Sequence, residues 1–437
     1  MSDTIFALSS APGRAGVAVI RVSGPQAAAC LKSLARMKVP VARRATVRQL
    51  TDASGATIDQ ALILWFAAPA SFTGEDVAEF HVHGGRAVVA RLLSALGTVP
   101  GCRPAEPGEF TRRAVENGKL DLTQAEALAD LIDAETDLQR RQALAQLGGA
   151  LAELYEGWRE RLIRALAWAE AEIDFSDEEL PADLVLRTRR SLVEIYQEIQ
   201  IHMDDSRRGE IVRDGLFLTV VGPPNAGKSS LINALAQRDV AIVAETAGTT
   251  RDIIEVRLDL RGYPVIVADT AGLRAAADAV ESEGVRRALA RAEASDLTLL
   301  LLDGSAVDPL AGLPAGLAER ASLVVWNKAD LPGSPSREGL RLSLKTGFGF
   351  DAVLAAIAEK VAARLDVRWE APVLTRVRHR HALQEASAAL ERAVAAAEPE
   401  LFAEDLRLAV RWIGRITGRV DVEEMLDVVF RDFCIGK

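Results

Sequence analysis

The residues that most directly indicate a chemistry are GPPNAGKS at positions 222–229, which follow the apolar run Leu216 to Val221. They match the pattern G-x-x-x-x-G-K-[ST] in the strand-loop-helix context that it requires. Glycines allow backbone N–H groups to surround phosphate oxygens, and the N-terminus of the following helix adds positive potential. We therefore expect Lys228 to bind the β- and γ-phosphates of a nucleotide and Ser229 to ligate Mg²⁺. A glycine-rich turn that only begins a helix is the weaker alternative in this context.

Two shorter motifs follow later apolar runs and extend this nucleotide site. DTAG at 269–272 places Asp269 to hold the magnesium shell and the N–H of Gly272 to sense a γ-phosphate. NKAD at 327–330 ends in Asp330, whose carboxylate can accept hydrogen bonds from both N1–H and the exocyclic amine of guanine. Adenine presents a mismatched edge, so the motif predicts selection of GTP over ATP.

Two loops belong with these motifs. The segment GTTRD at 248–252 precedes DTAG, and Thr250 is placed to ligate Mg²⁺ only when the γ-phosphate is bound, which predicts a switch loop. Ser343-Leu344-Lys345 stands where domains with these nucleotide-binding motifs usually carry Ser-Ala-Lys. We therefore expect this loop to pack against the nucleotide base, with a bulkier middle residue than usual.

Hydrolysis also needs a group that orients the attacking water, and the position after the DTAG glycine, often glutamine, is Leu273 here. A leucine side chain cannot hold a water molecule, so another residue or a partner must do so. The candidates nearby in sequence are Glu245, Arg274, Glu281 and Glu283, any of which could equally be a solvated surface charge. Spacing alone does not choose among them.

Length and composition limit what surrounds this site. A chain of 437 residues predicts two or three domains, and no apolar run reaches the roughly 18 to 20 residues of a membrane span. The net charge of −10 argues against a protein that coats nucleic acid non-specifically. Cys30, Cys102 and Cys434 form no recognisable disulfide or zinc spacing, and the first residues do not resemble a signal peptide. We therefore expect a soluble, cytoplasmic protein.

The elements that must position the site are indicated by hydrophobic periodicity. Residues 1–118 mix strand-like runs with Gly/Pro punctuation, which predicts an α+β domain. A helical stripe of Leu122, Ala125, Ala129 and Ile132 opens a helical region at 119–210. Short apolar strands, the last of them LRLSL at 340–344, alternate with helices over 211–368, as in a doubly wound α/β domain. Residues 369–437 return to helical period, interrupted near Pro399 and Gly414.

The predicted fold class is thus multidomain α/β, in which an all-α helical domain is split in sequence by an inserted P-loop domain of the Ras-like, doubly wound type. Such an insertion is tolerated where the two ends of the host lie close together, as in antiparallel helix bundles.

The chain resembles the MnmE (TrmE) family of tRNA-modification GTPases over its whole length. The resemblance rests on GPPNAGKSS, AGTTRD, DTAGLR and NKAD, and on the ending FCIGK at 433–437. In the first part of the chain it rests on PGR at 12–14, SFTGED at 71–76, PGEF at 107–110 and KLDLTQAE at 119–126. The ending and these N-terminal signatures are specific, whereas the nucleotide motifs are shared by many GTPases.

The resemblance implies an activity on tRNA. The protein would act in a heterotetramer with the flavoprotein MnmG on C5 of the wobble uridine, U34, to give its carboxymethylaminomethyl form. It would use 5,10-methylenetetrahydrofolate, with 5-formyl-tetrahydrofolate as an analogue, and would form a homodimer through a folate-binding N-terminal domain.

The resemblance also implies a potassium ion that neutralises charge building up at the phosphates. Its ligands would be the side chain of Asn225 and the carbonyls of Ala244, Thr246 and Thr249, and Glu281 would orient the water with Glu283 as its rival. The full set of expected nucleotide and metal contacts is Asn225, Ala226, Gly227, Lys228, Ser229, Ser230, Ala244, Glu245, Thr246, Ala247, Gly248, Thr249, Thr250, Asp269, Thr270, Ala271, Gly272, Asn327, Lys328, Asp330, Ser343 and Leu344.

The folate positions implied by the family are Arg21, Glu79, Lys119 and Lys437. A carboxylate can accept hydrogen bonds from the pterin ring of folate, and cationic side chains can bind its glutamate tail. Each of these residues, taken alone, could instead belong to a surface ion pair. Cys434 matches the family's C-terminal cysteine and is a candidate catalytic thiol or an inert small hydrophobe.

His81 and His83 would share one face of a strand, as a metal pair does. No third ligand is evident, so we favour a pterin-pocket or structural role for the two histidines.

Three other functions compete with this interpretation. A ribosome-assembly GTPase would carry a KH-type GXXG module or a second nucleotide-binding domain, and neither is visible. A folate-dependent aminomethyl transferase with a regulatory GTPase would act without tRNA, and a scaffolding GTPase would only gate its flavoprotein. The sequence does not separate the last two from the tRNA-modification reading.

Overall fold

The computed structural model describes residues 3–174, 182–238, 240–242, 255–269, 295–311, 313, 316–331, 339–365, 372–420, 426, 429–430, 433 and 436, with the backbone alone at 182–186, 255 and 269. The chain divides into two compact units, which are described separately. The first comprises Met1–Ala129, Gln146–Leu192 and Ala388–Lys437, and the second Asp130–Ala145 and Val193–Ser387.

The N-terminal part of the first unit is an α+β sandwich, as the sequence predicts. Its elements are β1 (Thr4–Leu8), β2 (Ala15–Ser23), α1 (Ala27–Ala35), β3 (Thr46–Thr51), β4 (Thr57–Phe66), β5 (Val77–Gly84), α2 (Arg86–Gly97) and β6 (Cys102–Pro104). The strands lie in the order β3-β4-β5-β2-β1-β6, antiparallel except for the parallel pair β1 and β6.

Side chains alternate between the two faces of this sheet, as the period of two in a strand requires. On β4, Ala61, Ile63 and Trp65 are buried in a core that includes residues of α1 and α2. The opposite face is buried at β1, where Ile5 and Ala7 pack against Phe110, but it is exposed at β3 and β4: Leu62 is 36% exposed and Val47, its register partner on β3, is 50% exposed.

Helices dominate the next part of the chain, as predicted. They are α3 (Glu109–Glu116), α4 (Leu122–Asp133), α5 (Asp137–Leu147), α6 (Ala150–Asp174), α7 (Ala182–Met203) and α8 (Arg208–Asp214). The apolar stripe predicted from Leu122 does form a helix. Leu122 and Ala125 are fully buried, whereas Ile132 at the end of the stripe is 39% exposed.

The second unit contains a mainly parallel sheet, which confirms the doubly wound pattern. Its elements are β7 (Leu216–Val221), α9 (Lys228–Ala236), β8 (Ala241–Ile242), β9 (Glu255–Leu260), β10 (Tyr263–Asp269), β11 (Leu297–Asp303), α10 (Leu317–Arg320), β12 (Leu323–Asn327), β13 (Leu340–Arg341) and α11 (Phe350–Leu365). The strand order is β13-β12-β11-β7-β10-β9-β8, and the pairs β9–β10 and β8–β9 are antiparallel.

One strand prediction in this unit was too long. The run LRLSL at 340–344 reads as a strand, but pairing ends at Arg341. The chain turns away because Ser343 and Leu344 use their polar groups on other loops: the Ser343 hydroxyl donates to Asp330 and the Leu344 N–H donates to Asn327.

The C-terminal part forms α12 (Val377–Ala395) and α13 (Pro399–Thr417). The predicted break near Pro399 is present, and the break predicted near Gly414 lies four residues later, at Gly418. Gly414 lies inside α13, buried, where an added Cβ would come within 2.9 Å of Val420 Cγ2. This glycine therefore permits close packing, and the helix ends at Gly418, whose φ of +80° suits glycine. Among the described residues, no helix is long and apolar enough to cross a membrane.

Candidate functional site

The phosphate-binding motif occupies the loop between β7 and α9, at the carboxyl end of a central strand. Here the backbone leaves ordinary strand geometry: Asn225 has φ +63° and Gly227 has φ +103°, both in the left-handed region. Glycine is needed at 227 because an added Cβ would overlap the amide nitrogen of Asn327. A Cβ at Gly222 would overlap the carbonyl oxygen of Leu301 on β11. Packing and conformation together fix the loop's shape.

Lys228 and Ser229 stand where the sequence predicts them, in the first turn of α9. The Lys228 ammonium donates to the carbonyl oxygens of Gly222 and Pro223, each at 2.8 Å, so it lies over the loop. Asn225, Ser229 and Ser230 are exposed, and Ala226 is fully buried. These exposed polar residues lie at the N-terminus of α9, whose positive potential suits an anionic phosphate.

The register of the sheet brings Asp269 to this loop. Asp269 ends β10 and pairs with Val220 on the parallel strand β7, two residues before the loop begins. Its backbone position therefore fits the predicted role in the magnesium shell. The remaining predicted contacts of the switch and hydrolysis segments lie outside the described residues: Ala244, Glu245, Thr246, Ala247, Gly248, Thr249, Thr250, Thr270, Ala271, Gly272 and Glu281, with the rival candidates Arg274 and Glu283.

Asn327 joins the phosphate loop to the base-reading loops. Its side chain is only 4% exposed, and its amide nitrogen donates to the carbonyl of Ala226 at 2.8 Å. Its amide oxygen accepts from the backbone N–H of Leu344 at 3.3 Å. Both halves of the buried amide are thus satisfied by two different loops, which fixes the position of each loop relative to the other.

Asp303 is a residue of this site that sequence reasoning missed. It ends β11 directly beside Asn327 in the parallel register, and its carboxylate accepts from the Lys328 ammonium at 2.6 Å. Burial acts to raise the pKa of Asp303, but the hydrogen bonds from Lys328 and Ser305 outweigh it, so the pKa is lowered. The carboxylate fixes Lys328, which has the strained φ of +64°. Asp303 could have been recognised from the sequence, because it ends an apolar strand just as Asn327 does.

Asp330, which is predicted to bind guanine, is hydrogen-bonded to Ser343 of the loop that is predicted to lie against the base. Asp330 is exposed, while Ser343 is fully buried and donates its hydroxyl to Oδ1 of Asp330 at 2.6 Å. This hydrogen bond lowers the pKa of Asp330, so the group is a carboxylate at neutral pH. A fixed and ionised carboxylate open to solvent can accept two hydrogen bonds from one edge of guanine.

Two of the predicted folate residues come together in the N-terminal sheet. Arg21 on β2 and Glu79 on β5 are register partners, and the Arg21 Nε donates to Glu79 Oε1 at 3.1 Å. His81 Nε2 lies 3.3 Å from the other oxygen of Glu79. The Arg21 guanidinium also lies over the rings of Phe72 and Phe110, at 5.3 and 5.8 Å. A charged pair beside aromatic rings can recognise a flat heterocycle that carries donors and acceptors.

The other predicted folate residues are not joined to this pair by any contact among the described residues. The Lys119 ammonium is exposed and donates to the carbonyl of Pro69 at 3.0 Å. Lys437 and Cys434 lie outside the described residues, although Gly436 between them accepts from the Ser9 hydroxyl at 2.9 Å. The C-terminal motif therefore reaches the end of β1.

The loop that carries Phe72 is held by a buried polar network that the sequence did not predict. Ser23 donates to Glu75 and is 2.7 Å from the hydroxyl of Thr73. Arg113, only 7% exposed, binds Glu75 and Glu109. Buried charges of this kind need full pairing, and the network supplies it on both sides of the arginine.

The second histidine of the predicted pair has a different partner. The ring Nδ1 of His83 is 2.9 Å from Asp59, and the His83 side chain is 73% exposed. Within the part of the chain that the structure describes, no group of three His, Cys, Asp or Glu residues could hold a metal ion. A structural role for His83 and a pocket role for His81 fit these contacts.

Comparisons with known proteins give matches to one family over the whole chain. A family model described as the MnmE helical domain matches residues 122–434, and one described as the GTP-binding protein TrmE N-terminus matches residues 4–119. The chain is 57% identical to the tRNA modification GTPase MnmE of Parvibaculum lavamentivorans and 55% identical to that of Paramagnetospirillum magneticum, in each case over all of both chains. It is also 55% identical to the MnmE of Rhodospirillum rubrum, over all of this chain and 99% of that one.

Proposed function

The chain belongs to the MnmE family of tRNA modification GTPases, and from that premise we propose that it acts with the flavoprotein MnmG to convert C5 of U34 to the carboxymethylaminomethyl form. The chain is a GTP hydrolase that serves tRNA modification. The observation that supports this function best is the fixed Asp330 carboxylate, joined through Ser343, Leu344 and Asn327 to the phosphate loop. These hydrogen bonds connect the carboxylate that is proposed to select guanine with the loop that is proposed to bind phosphate.

The experiment that tests the tRNA assignment is mass spectrometry of nucleosides from tRNA of a strain that lacks this chain. We expect the modified U34 to disappear and to return when the wild-type gene is restored. Restoration by Cys434→Ser to the wild-type level would remove the catalytic-thiol hypothesis and keep the assignment. Unchanged U34 in the deletion strain would contradict the assignment itself.

In the nucleotide site, the chain's own groups bind and orient the phosphates. Lys228 and the N-terminus of α9 would stabilise negative charge on them, Ser229 and Thr250 would ligate magnesium, and Asp269 would hold the magnesium shell. Ser229 is an exposed residue at the start of α9, which fits this role. Glu281 would hold the attacking water. When bound, a magnesium ion would supply positive charge to the phosphate oxygens.

We further propose that potassium stimulates hydrolysis, held by the side chain of Asn225 and the carbonyls of Ala244, Thr246 and Thr249. Asn225 supports this because its left-handed backbone and exposed side chain place an amide oxygen at the loop. The ion supplies positive charge beside the phosphates.

We expect GTP hydrolysis to be about tenfold or more faster in potassium chloride than in sodium chloride at equal ionic strength. Asn225→Gly keeps the positive φ and removes the side-chain ligand, so it is expected to lose the stimulation while still binding GDP. The measurement is phosphate release in both salts. Equal wild-type rates in the two salts would discredit the potassium proposal.

The N-terminal domain is proposed to bind 5,10-methylenetetrahydrofolate through Arg21, Glu79, Lys119 and Lys437. The Arg21–Glu79 pair beside Phe72 supports this, since a carboxylate and a stacked guanidinium suit a pterin. The exposed apolar residues Val47 on β3 and Leu62 on β4 support a homodimer through this domain. The proposed domains are the α+β domain at 1–118, the helical domain at 119–210 and 369–437, and the inserted nucleotide-binding domain at 211–368. The proposed compartment is the cytoplasm, where the tRNA is found.

Replacing Arg21 by alanine is expected to weaken 5-formyl-tetrahydrofolate binding by about 10- to 100-fold, because a charge-assisted contact is lost. The measurement is calorimetric titration of the full chain. Arg48→Ala on β3 is the matched control, since this exposed arginine donates to the carbonyl of its neighbour Val47 and, among the described residues, has no ion-pair partner. Wild-type affinity in Arg21→Ala would count against the proposed pocket.

A further inference from the structure

Two cysteines far apart in sequence meet in the N-terminal domain. Cys30 lies on α1 and Cys102 begins β6, and their Sγ atoms are 3.5 Å apart. Cys30 is fully buried, whereas Cys102 is partly exposed. Neither thiol belongs to the nucleotide site or to the proposed folate pocket.

The backbone around the two thiols is fixed by contacts among α1, β1 and β6. The N–H of Gln26, at the start of α1, donates to the Thr4 hydroxyl at 2.7 Å. The N–H of Thr4, at the start of β1, donates to the carbonyl of Gly101 at 2.9 Å, next to Cys102. Gly24 is packed so closely that an added Cβ would lie 2.8 Å from Thr4 Cα. The sulfur atoms are therefore held near each other by ordered elements.

This separation is close to what a disulfide needs. A disulfide bond is about 2.05 Å long, so the sulfur atoms must approach by about 1.5 Å, within the reach of small side-chain rotations. The two thiols also have different access, since solvent can reach Cys102 but not Cys30. One accessible thiol beside a buried partner is the arrangement of an attacking and a resolving cysteine.

We propose that Cys30 and Cys102 are a modification site, at which hydrogen peroxide forms an intramolecular disulfide between α1 and β6. The Cys102 sulfur attacks a peroxide oxygen, the O–O bond breaks, and a sulfenic acid and one water are formed. The Cys30 sulfur then attacks the Cys102 sulfur, the S–O bond breaks and a second water leaves. Both thiol protons end in water, two electrons pass to the peroxide, and the net products are one disulfide and two waters.

Burial makes this reaction slow. It raises the pKa of both thiols, and the neighbouring sulfur adds to the effect at Cys30, so few thiolates are present at neutral pH. An excess of oxidant is therefore needed, which distinguishes this pair from a highly reactive single thiol. The cross-link joins elements that already touch, so we expect the fold to be retained and thermal unfolding to shift upward.

The test treats the full chain with excess hydrogen peroxide and then titrates its thiols after denaturation. Of the three cysteines in the chain, two are expected to disappear, and dithiothreitol should restore them. Peptide mapping should find Cys30 linked to Cys102, and Cys434→Ser should show the same link.

Cys102→Ser is the matched control and should form no intramolecular cross-link. Three titratable thiols after treatment would overturn the proposal. So would a cross-link that contains Cys434, or over-oxidation of Cys102 with Cys30 still free.

Discussion

Replacing Asp330 by asparagine is expected to weaken GTP and GDP binding by about 100-fold or more and to increase affinity for xanthine nucleotides. The carboxylate can accept from both N1–H and the exocyclic amine of guanine, whereas an amide offers one acceptor and one donor. Xanthine carries a carbonyl where guanine has the amine, so the amide matches it. Competition with a fluorescent nucleotide measures all three affinities.

The matched control for this substitution is Asp351→Asn. Asp351 lies in the first turn of α11, its side chain is 90% exposed, and its nearest ion-pair partner, Arg238, is 3.8 Å away. The control makes the same charge change in the same unit, and we expect nearly wild-type affinity. An Asp330→Asn protein that binds GDP as tightly as the wild type would show that guanine is read elsewhere.

Replacing Glu281 by alanine is expected to lower the rate of GTP hydrolysis by about 100- to 10,000-fold, while GTP affinity changes little. The carboxylate is proposed to orient the attacking water and makes no predicted contact to the base or the loop around the phosphates. Single-turnover phosphate release gives the rate, and equilibrium titration with a non-hydrolysable analogue gives the affinity.

Glu283→Ala provides the comparison, because Glu283 is two residues away and carries the same charge. We expect it to retain most of the hydrolysis rate. The reverse result, with Glu283→Ala inactive and Glu281→Ala active, would transfer the role to Glu283. Full activity in both single variants would refute a water-orienting carboxylate in this segment.

The phosphate loop could be predicted from the sequence because its chemistry leaves few alternatives. Gly222 and Gly227 are required where a Cβ would overlap Leu301 and Asn327, and a lysine must follow to reach the phosphates. The multidomain fold class is also confirmed, since the period of the apolar residues distinguishes the α+β, helical and doubly wound parts. The domain boundaries and the residues outside the described ranges stay predictions.

Contacts between distant segments could not be predicted, because they depend on register and packing. Arg21 and Glu79 face each other only because β2 and β5 pair in that register, and one residue of slippage would move Glu79 to the other face. The proximity of Cys30 and Cys102 depends on how α1 packs against β6. Gly414 resembles a helix break in sequence, but in the structure it allows close packing inside α13.

The Asn327 side chain has a consequence for the energetics of nucleotide binding. Its two hydrogen bonds connect Ala226 in the phosphate loop with Leu344 beside the base-reading carboxylate. Occupation of either subsite should therefore lower the conformational freedom of the other, which is a positive thermodynamic coupling. Guanosine and pyrophosphate, titrated together, should each bind more tightly than alone, and Asn327→Ala should make the two fragments independent.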